Sequence, residues 1–167
     1  MENYFSKYFE LVPSYILNRL QFKDKIMATD APFKMKGIDH VVLRIKNLQL
    51  MKNFYCNVLG CTIENEDDNI GLYQVRAGAQ LIDFVPVDQM LGSIGGPPPG
   101  KDGHNMDHFA IQIEPYDDDA IRKYLLEHGV DLGETIIRSG AEGEGFGIQI
   151  KDPEGNTVEL KGPSIVN

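Results

Sequence analysis

The chain has 167 residues, 42% of them hydrophobic and 25% charged, with a formal net charge of −9 at pH 7. That length allows one domain or two small modules with a real core, and the acidity argues against nucleic acid or an anionic membrane surface as a partner. Cys56 and Cys61 are its two cysteines; they are expected to be free thiols of a reducing, cytoplasmic compartment, not a disulfide framework.

Residues 1–36 carry Tyr4, Phe5, Tyr8, Phe9, Val12, Tyr15, Ile16 and Leu20 at roughly helical spacing, with Pro13 as a break. This predicts an N-terminal helical extension that packs on its own domain or on a partner subunit. No apolar run has the length of a membrane span, and no secretory signal pattern is present, so neither is expected.

The first module is placed at residues 37–90. It opens on Asp39-His40-Val41-Val42-Leu43-Arg44-Ile45, whose strict alternation is that of a half-buried strand. Val41, Leu43 and Ile45 share one face, and His40, Val42 and Arg44 the other. Leu50 or Met51, Phe54, Val58 and Leu59 then follow helical spacing, with Gly60 in the position of a helix-ending glycine. Three strands follow, at Cys61–Glu64, Leu72–Arg76 and Gln80–Val85. The last carries Asp83 on the face opposite Ile82 and Phe84. Residues 91–104 hold Gly95-Gly96-Pro97-Pro98-Pro99-Gly100, a composition that excludes helix and central strand. They are assigned as the linker, either a spacer or a lid.

The second module, residues 105–162, repeats this order. Asp107-His108-Phe109-Ala110-Ile111-Gln112-Ile113 matches the opening strand, with His108 in the place of His40. Ile121, Tyr124, Leu125 and His128 form a helical stripe, which Asp117-Asp118-Asp119 precede and Gly129 ends. Thr135–Arg138 is a strand, Ser139–Gly145 a flexible glycine-rich loop, and Ile148–Lys151 another strand. Asp152-Pro153-Glu154-Gly155-Asn156 reads as a turn. It leads to a closing strand with Glu159 on the face away from Val158 and Leu160. The loop lacks the lysine and the helix of a phosphate-binding P-loop. Each copy is thus β-α-β-β-β.

A lone histidine is most often a structural residue, but two at matched places in two copies of one strand weigh against that. Imidazole and carboxylate are ligands that zinc, nickel, iron and manganese take. His40 and Asp83 from one half, with His108 and Glu159 from the other, make a candidate set. They converge only if the modules face each other about a pseudo-twofold axis.

The chain resembles the vicinal oxygen chelate superfamily, which includes glyoxalase I, extradiol dioxygenases and the fosfomycin and bleomycin resistance proteins. The resemblance covers residues 37–162. It rests on Gly37-Ile38-Asp39-His40, on Phe54-Tyr55 followed by Val58-Leu59-Gly60, on Met106-Asp107-His108, and on Asp152-Pro153-Glu154-Gly155-Asn156 leading to Val158-Glu159-Leu160. It implies an α+β fold in which paired βαβββ modules form a curved eight-stranded mixed sheet around a divalent metal. His40, His108 and Glu159 fall on the family's ligand positions. Asp83 stands where bacterial glyoxalase I has a glutamate, and its carboxylate is one methylene shorter. The implied activity is Lewis-acid chemistry on vicinal oxygens of a small molecule, of lyase or isomerase type, with Glu159 or Asp83 as base. Arg44, Gln74, Gln112 and Gln149 would orient substrate. The alternatives are an extradiol-type dioxygenase and a protein that sequesters a small molecule without chemistry. Family members commonly pair, so a homodimer is expected.

Overall fold

The computed structural model describes Pro32 and residues 35–166. The extension expected over residues 1–36 lies outside these, apart from Pro32, Met35 and Lys36, which are exposed. From Ile38 onward the chain forms one compact unit.

Strand β1 (His40–Ile45) leads into helix α1 (Leu48–Lys52), a π-helical turn (Asn53–Val58), and strands β2 (Thr62–Asp67), β3 (Leu72–Ala77) and β4 (Gln80–Pro86). A one-turn helix α2 (Met90–Ser93) follows. Then β5 (Phe109–Gln112), α3 (Asp118–Glu127), β6 (Leu132–Gly140), β7 (Gly143–Lys151) and β8 (Thr157–Lys161) repeat the order. The strands hydrogen-bond as two four-stranded mixed sheets, β1-β4-β3-β2 and β5-β8-β7-β6. The two βαβββ modules expected from the repeat are therefore present, and their eight strands divide into two sheets of four.

Helix ends follow local chemistry. The Asn47 side chain accepts from the Leu50 amide at 3.1 Å, and Asp117 accepts from Ala120 at 3.1 Å, so α1 and α3 each start on a side-chain cap. Asp118 and Asp119 lie in the first turn of α3, where negative charge is favoured. Gly60 and Gly129 leave the helices at φ of 75° and 71°, a left-handed conformation that glycine adopts without a Cβ clash.

Alternation along the strands then sorts the faces. Leu43, Ile45, Ile82, Phe84, Tyr73 and Val75 point to the helix side of the first sheet and are buried with Met51, Phe54 and Tyr55. Ile148, Ile150, Val158 and Leu160 do the same in the second, with Leu125 of α3, and both sets belong to one continuous core. Tyr124, assigned to the apolar stripe of α3, is 43% exposed, because its ring stacks on His128 and its hydroxyl donates to the Val58 carbonyl at 3.0 Å.

Local structure departs from expectation in two stretches. Ser139–Gly145 is not a loop: β6 and β7 form a hairpin there, pairing Gly140 with Gly143, with Ala141 and Glu142 as the turn. Gly143, Gly145 and Gly147 alternate with Glu144, Phe146 and Ile148, so one face of this part of β7 is bare of side chains, while on the other Ile148 is buried and Phe146 is 44% exposed. The start of the linker, expected from its composition to exclude helix, is helical through Ser93. Ser93 Oγ donates to the Met90 carbonyl at 2.9 Å, and a Cβ at Gly92 would sit 2.0 Å from the Pro86 carbonyl oxygen. The rest of the linker is fastened to β1. Arg44 donates through its Nε to Gly92 at 3.0 Å, and through its terminal nitrogens to Pro97 at 2.9 Å and Gly96 at 2.6 Å.

Candidate metal centre

Parallel pairing in each module sets one carboxylate beside one histidine. Asp83 lies opposite Val42 in the β1–β4 ladder, and Glu159 lies opposite Ala110 in the β5–β8 ladder. His40 and His108 are each two residues before those partners, so they share the open face with the acids. Antiparallel pairing adds Gln74 opposite Asp83 and Gln149 opposite Glu159. The repeat thus produces two matched half-sites: His40, Asp83 and Gln74 in the first module, His108, Glu159 and Gln149 in the second.

Both acids are 4% exposed, whereas the His40 and His108 side chains are 45% and 37% exposed. The histidines therefore stand at the rim over buried carboxylates. Each ring is steered by the aspartate before it. Asp39 Oδ1 lies 2.7 Å from His40 Nδ1, and Asp107 Oδ1 lies 2.5 Å from His108 Nδ1. A carboxylate at Nδ1 holds the proton there and leaves Nε2 as an electron-pair donor, the arrangement that prepares histidine for a metal. The hydrogen bond to Asp39, followed by the charge of Asp83, raises the His40 pKa above its ordinary value. In the second module Nε2 of His108 lies 3.6 Å from Glu159 Oε2, beyond hydrogen-bond length.

Asp83 and Glu159 differ in what holds them. Gln74 Nε2 donates to Asp83 Oδ1 at 3.0 Å. Among the described residues Glu159 accepts no hydrogen bond; Arg138 Nε stands 3.6 Å from Oε2, as His108 does. The donor set suits a divalent cation, because imidazole nitrogen and carboxylate oxygen are both ligands that such metals take, although Arg138 Nε stands as close to Glu159 Oε2 as His108 Nε2 does.

The four candidate ligands do not meet within one chain. Among the described residues no three His, Cys, Asp or Glu side chains gather where they can hold a metal ion. The side chains that join the modules act elsewhere. Tyr55 donates to Asp152 at 3.0 Å, Asn105 Nδ2 donates to the Arg44 carbonyl at 2.9 Å, and Glu154 Oε1 accepts the amides of Lys46 at 2.6 Å and Asn47 at 2.5 Å. Open-face side chains of one module make no hydrogen bond or ion pair with those of the other among the described residues.

The four residues assigned to substrate have different surroundings. Gln74 and Gln149 sit across the ladder from the acids. Arg44 has its donors on linker carbonyls. Gln112 lines a separate cavity of about 580 Å³ between the modules, with Val58, Leu59, Ile113 and Tyr124. None of His40, Asp83, His108 and Glu159 lines that cavity. Arg138 and Lys161, not among the residues assigned to substrate, share the open face with Glu159. The glycine alternation in Gly143–Gly147 was the signal for them, since bare strand positions admit long neighbouring side chains.

Cys61 also borders the cavity, and burial pushes its thiol up to about 11 from 9.0. Both cysteines are free. At neutral pH the thiolate fraction of Cys61 is then about a hundredfold below that of an ordinary thiol, because thiolate falls tenfold per pH unit below the pKa. Iodoacetamide should modify Cys61 slowly at pH 7.5 and faster as pH rises toward 11. Rapid modification of Cys61 at pH 7.5, read by peptide mass mapping, would contradict the burial.

Two mirrored βαβββ modules with a histidine and an acid on each open face define the vicinal-oxygen-chelate class. Residues 37–160 match the model of the Glyoxalase/Bleomycin resistance protein/Dioxygenase superfamily, and the chain belongs to that superfamily. A virulence protein of Salmonella typhimurium, STM3117, is 29% identical over 129 residues, spanning 74% of this chain and 81% of that protein. Its crystal structure superposes with a TM-score of 0.66 at 22% identity, covering 79% of this chain and 100% of the other. The antibiotic-binding protein TnmS3 of Streptomyces has a TM-score of 0.58 at 18% identity, over 79% and 99% of the two chains. A glyoxalase family protein of Enterococcus faecalis has a TM-score of 0.54 at 23% identity, over 76% and 98%. At these identities the structural likenesses speak to the fold. Among the described residues no helix is long and apolar enough to cross a membrane.

Proposed function

We propose that this chain is a divalent-metal enzyme of glyoxalase type whose metal centre is completed by a second copy, the first module of one chain facing the second module of the other. The observation that carries this reading is the His108–Glu159 pair. A histidine with its Nδ1 proton held by Asp107 turns Nε2 toward a buried carboxylate at 3.6 Å, two electron-pair donors facing one another. A shared cation satisfies both. His40 and Asp83 form the matching half, and a twofold axis between copies brings the halves together. Val42 and Ile136, 45% and 43% exposed, leave apolar surface on the open faces for such a contact.

Zinc, nickel, iron or manganese held there supplies Lewis acidity toward neighbouring carbonyl and hydroxyl oxygens of a small substrate. Asp39 and Asp107 keep the imidazoles aimed. Gln74 fixes one oxygen of Asp83. Glu159, buried and without a hydrogen-bond donor, is the group placed to take a proton from carbon beside the substrate carbonyl. That assigns lyase or isomerase chemistry to the site.

Complementation between damaged copies tests this. His40→Ala and His108→Ala proteins are prepared separately, refolded together, and dialysed against zinc or manganese. A site shared between copies regains metal in mixed dimers, at roughly a quarter of all sites for random pairing, because one of the two sites in a mixed dimer is intact. A site within one chain regains none. Elemental analysis and light scattering read the outcome, and a wild-type chain that stays monomeric and metal-free sinks the reading.

A further inference from the structure

The open face of the second module carries two cations that the metal reading does not use. Arg138 of β6 stretches across β7 to Glu159. A Cβ at Gly147 would lie 3.4 Å from Arg138 Cδ and 2.9 Å from Glu159 Oε1, so glycine there lets both side chains lie against the sheet. The Arg138 Nε is buried and has no hydrogen-bond partner. It forms an ion pair with Glu159 Oε2 at 3.6 Å, and among the described residues the guanidinium makes no hydrogen bond. An arginine offers five donors in a fixed fork, and a buried donor left unpaired is destabilising. Arg44 shows the contrast, with its guanidinium on three linker carbonyls.

Lys161 lies on the same face, next but one to Glu159 along β8, and is 7% exposed. Its ammonium donates to the Gly162 carbonyl at 3.0 Å and reaches the Gly143 carbonyl only at 3.4 Å. Among the described residues it pairs with no carboxylate. At Gly145 a Cβ would sit 2.2 Å from the Pro163 carbonyl oxygen and 2.6 Å from Lys161 Nζ, so glycine there admits both the chain after β8 and the lysine. Glu159 is the one carboxylate that β7 and β8 place on this face. An excess of positive charge is thus packed against a sheet in a chain of net charge −9. The Arg138 side chain is 28% exposed and forms an ion pair with Glu159 at 3.6 Å, so of the two cations it is buried Lys161 that adds a charge with no carboxylate to match it. A buried charge of this kind is costly unless an anion completes it.

We propose that Arg138, in the field of Lys161, binds an oxyanion of the substrate, a carboxylate or a phosphate, beside the His108–Glu159 pair. The planar guanidinium matches the geometry of either group through two parallel hydrogen bonds. This assigns the substrate class as a small anionic carbonyl or hydroxy compound, and it rests on the reading of that pair as the reacting end of the site.

The full-length protein, freed of metal with chelator, is titrated calorimetrically at constant ionic strength with inorganic phosphate and, separately, with acetate. Wild type binds at least one of them, and the tighter one names the oxyanion. Arg138→Gln weakens that binding about tenfold or more, the share of a charge-assisted bidentate contact. Arg138→Lys keeps the charge and loses the fork, and it carries the test if the glutamine variant does not fold: a several-fold loss supports the assignment. Wild type that takes up neither anion, or variants that bind as wild type does, overturns it. Zinc titration of the same proteins separates the two readings. Metal uptake with anion binding indifferent to Arg138 removes this inference alone; anion binding that depends on Arg138 without metal uptake removes the metal reading alone.

Discussion

Asp152→Ala should lower the unfolding free energy by about 3–5 kcal/mol, the range for removing one partner from a buried charged network. Asp152 is 4% exposed and receives four donors. Oδ1 takes the amides of Glu154 at 3.0 Å and Asn156 at 2.9 Å. Oδ2 takes the Tyr55 hydroxyl at 3.0 Å and Asn156 Nδ2 at 2.7 Å. Tyr55 is fully buried and Asn156 is 7% exposed, so water does not readily replace the lost oxygens. The same turn carries Glu154, whose carboxylate holds the Lys46 and Asn47 amides at the start of α1. Losing Asp152 therefore loosens the turn and the brace between modules together. Tyr55→Phe removes only one of the four bonds and should cost about 1.5–3 kcal/mol, the range for a hydrogen bond to a charged acceptor. Urea unfolding with an unchanged m-value measures both. An Asp152→Ala protein within 1 kcal/mol of wild type would refute the brace.

The sequence showed the repeat and left the brace unseen, for one physical reason. Strand alternation and helix spacing are local, so β1, α3, Asp83 and Glu159 could be assigned to elements and faces from neighbours in the chain. Asp152-Pro153-Glu154-Gly155-Asn156 was legible as a turn on the same basis. That its carboxylate meets Tyr55 of the other module depends on packing between elements far apart in sequence. Arg44 is a parallel case. Alternation put it on the open face, but nothing local says that carbonyls of Gly92, Gly96 and Pro97 take its donors. Ser139–Gly145 was misread because glycine ordinarily marks loops, whereas here alternate glycines make room for Arg138 and Lys161 on a strand. The matched placement of His40 with Asp83 and His108 with Glu159 was legible. Whether both pairs serve one centre was not, since that depends on how the modules pack.

Glu159→Gln should weaken divalent-metal affinity by more than about 100-fold, beyond the 10–100-fold typical of changes behind the ligands. The variant keeps the shape and removes the charge that a cation needs. Among the described residues Glu159 accepts no hydrogen bond, and its Oε2 lies 3.6 Å from both His108 Nε2 and Arg138 Nε. Asp83→Asn should do less. Its carboxylate is a methylene shorter, and Gln74 already takes Oδ1 at 3.0 Å, so one oxygen is engaged before a metal arrives. Removing the Asp107 carboxyl with Asp107→Asn frees the His108 ring without touching a ligand, and should fall between, at about 10–100-fold. Zinc titration followed by competition with a chelator ranks the three. An Asp83→Asn loss larger than that of Glu159→Gln would mean that the first module supplies the principal carboxylate. Equal affinities throughout would mean that these residues hold no metal, and that Glu159 sits buried beside His108 for the sake of Arg138 alone.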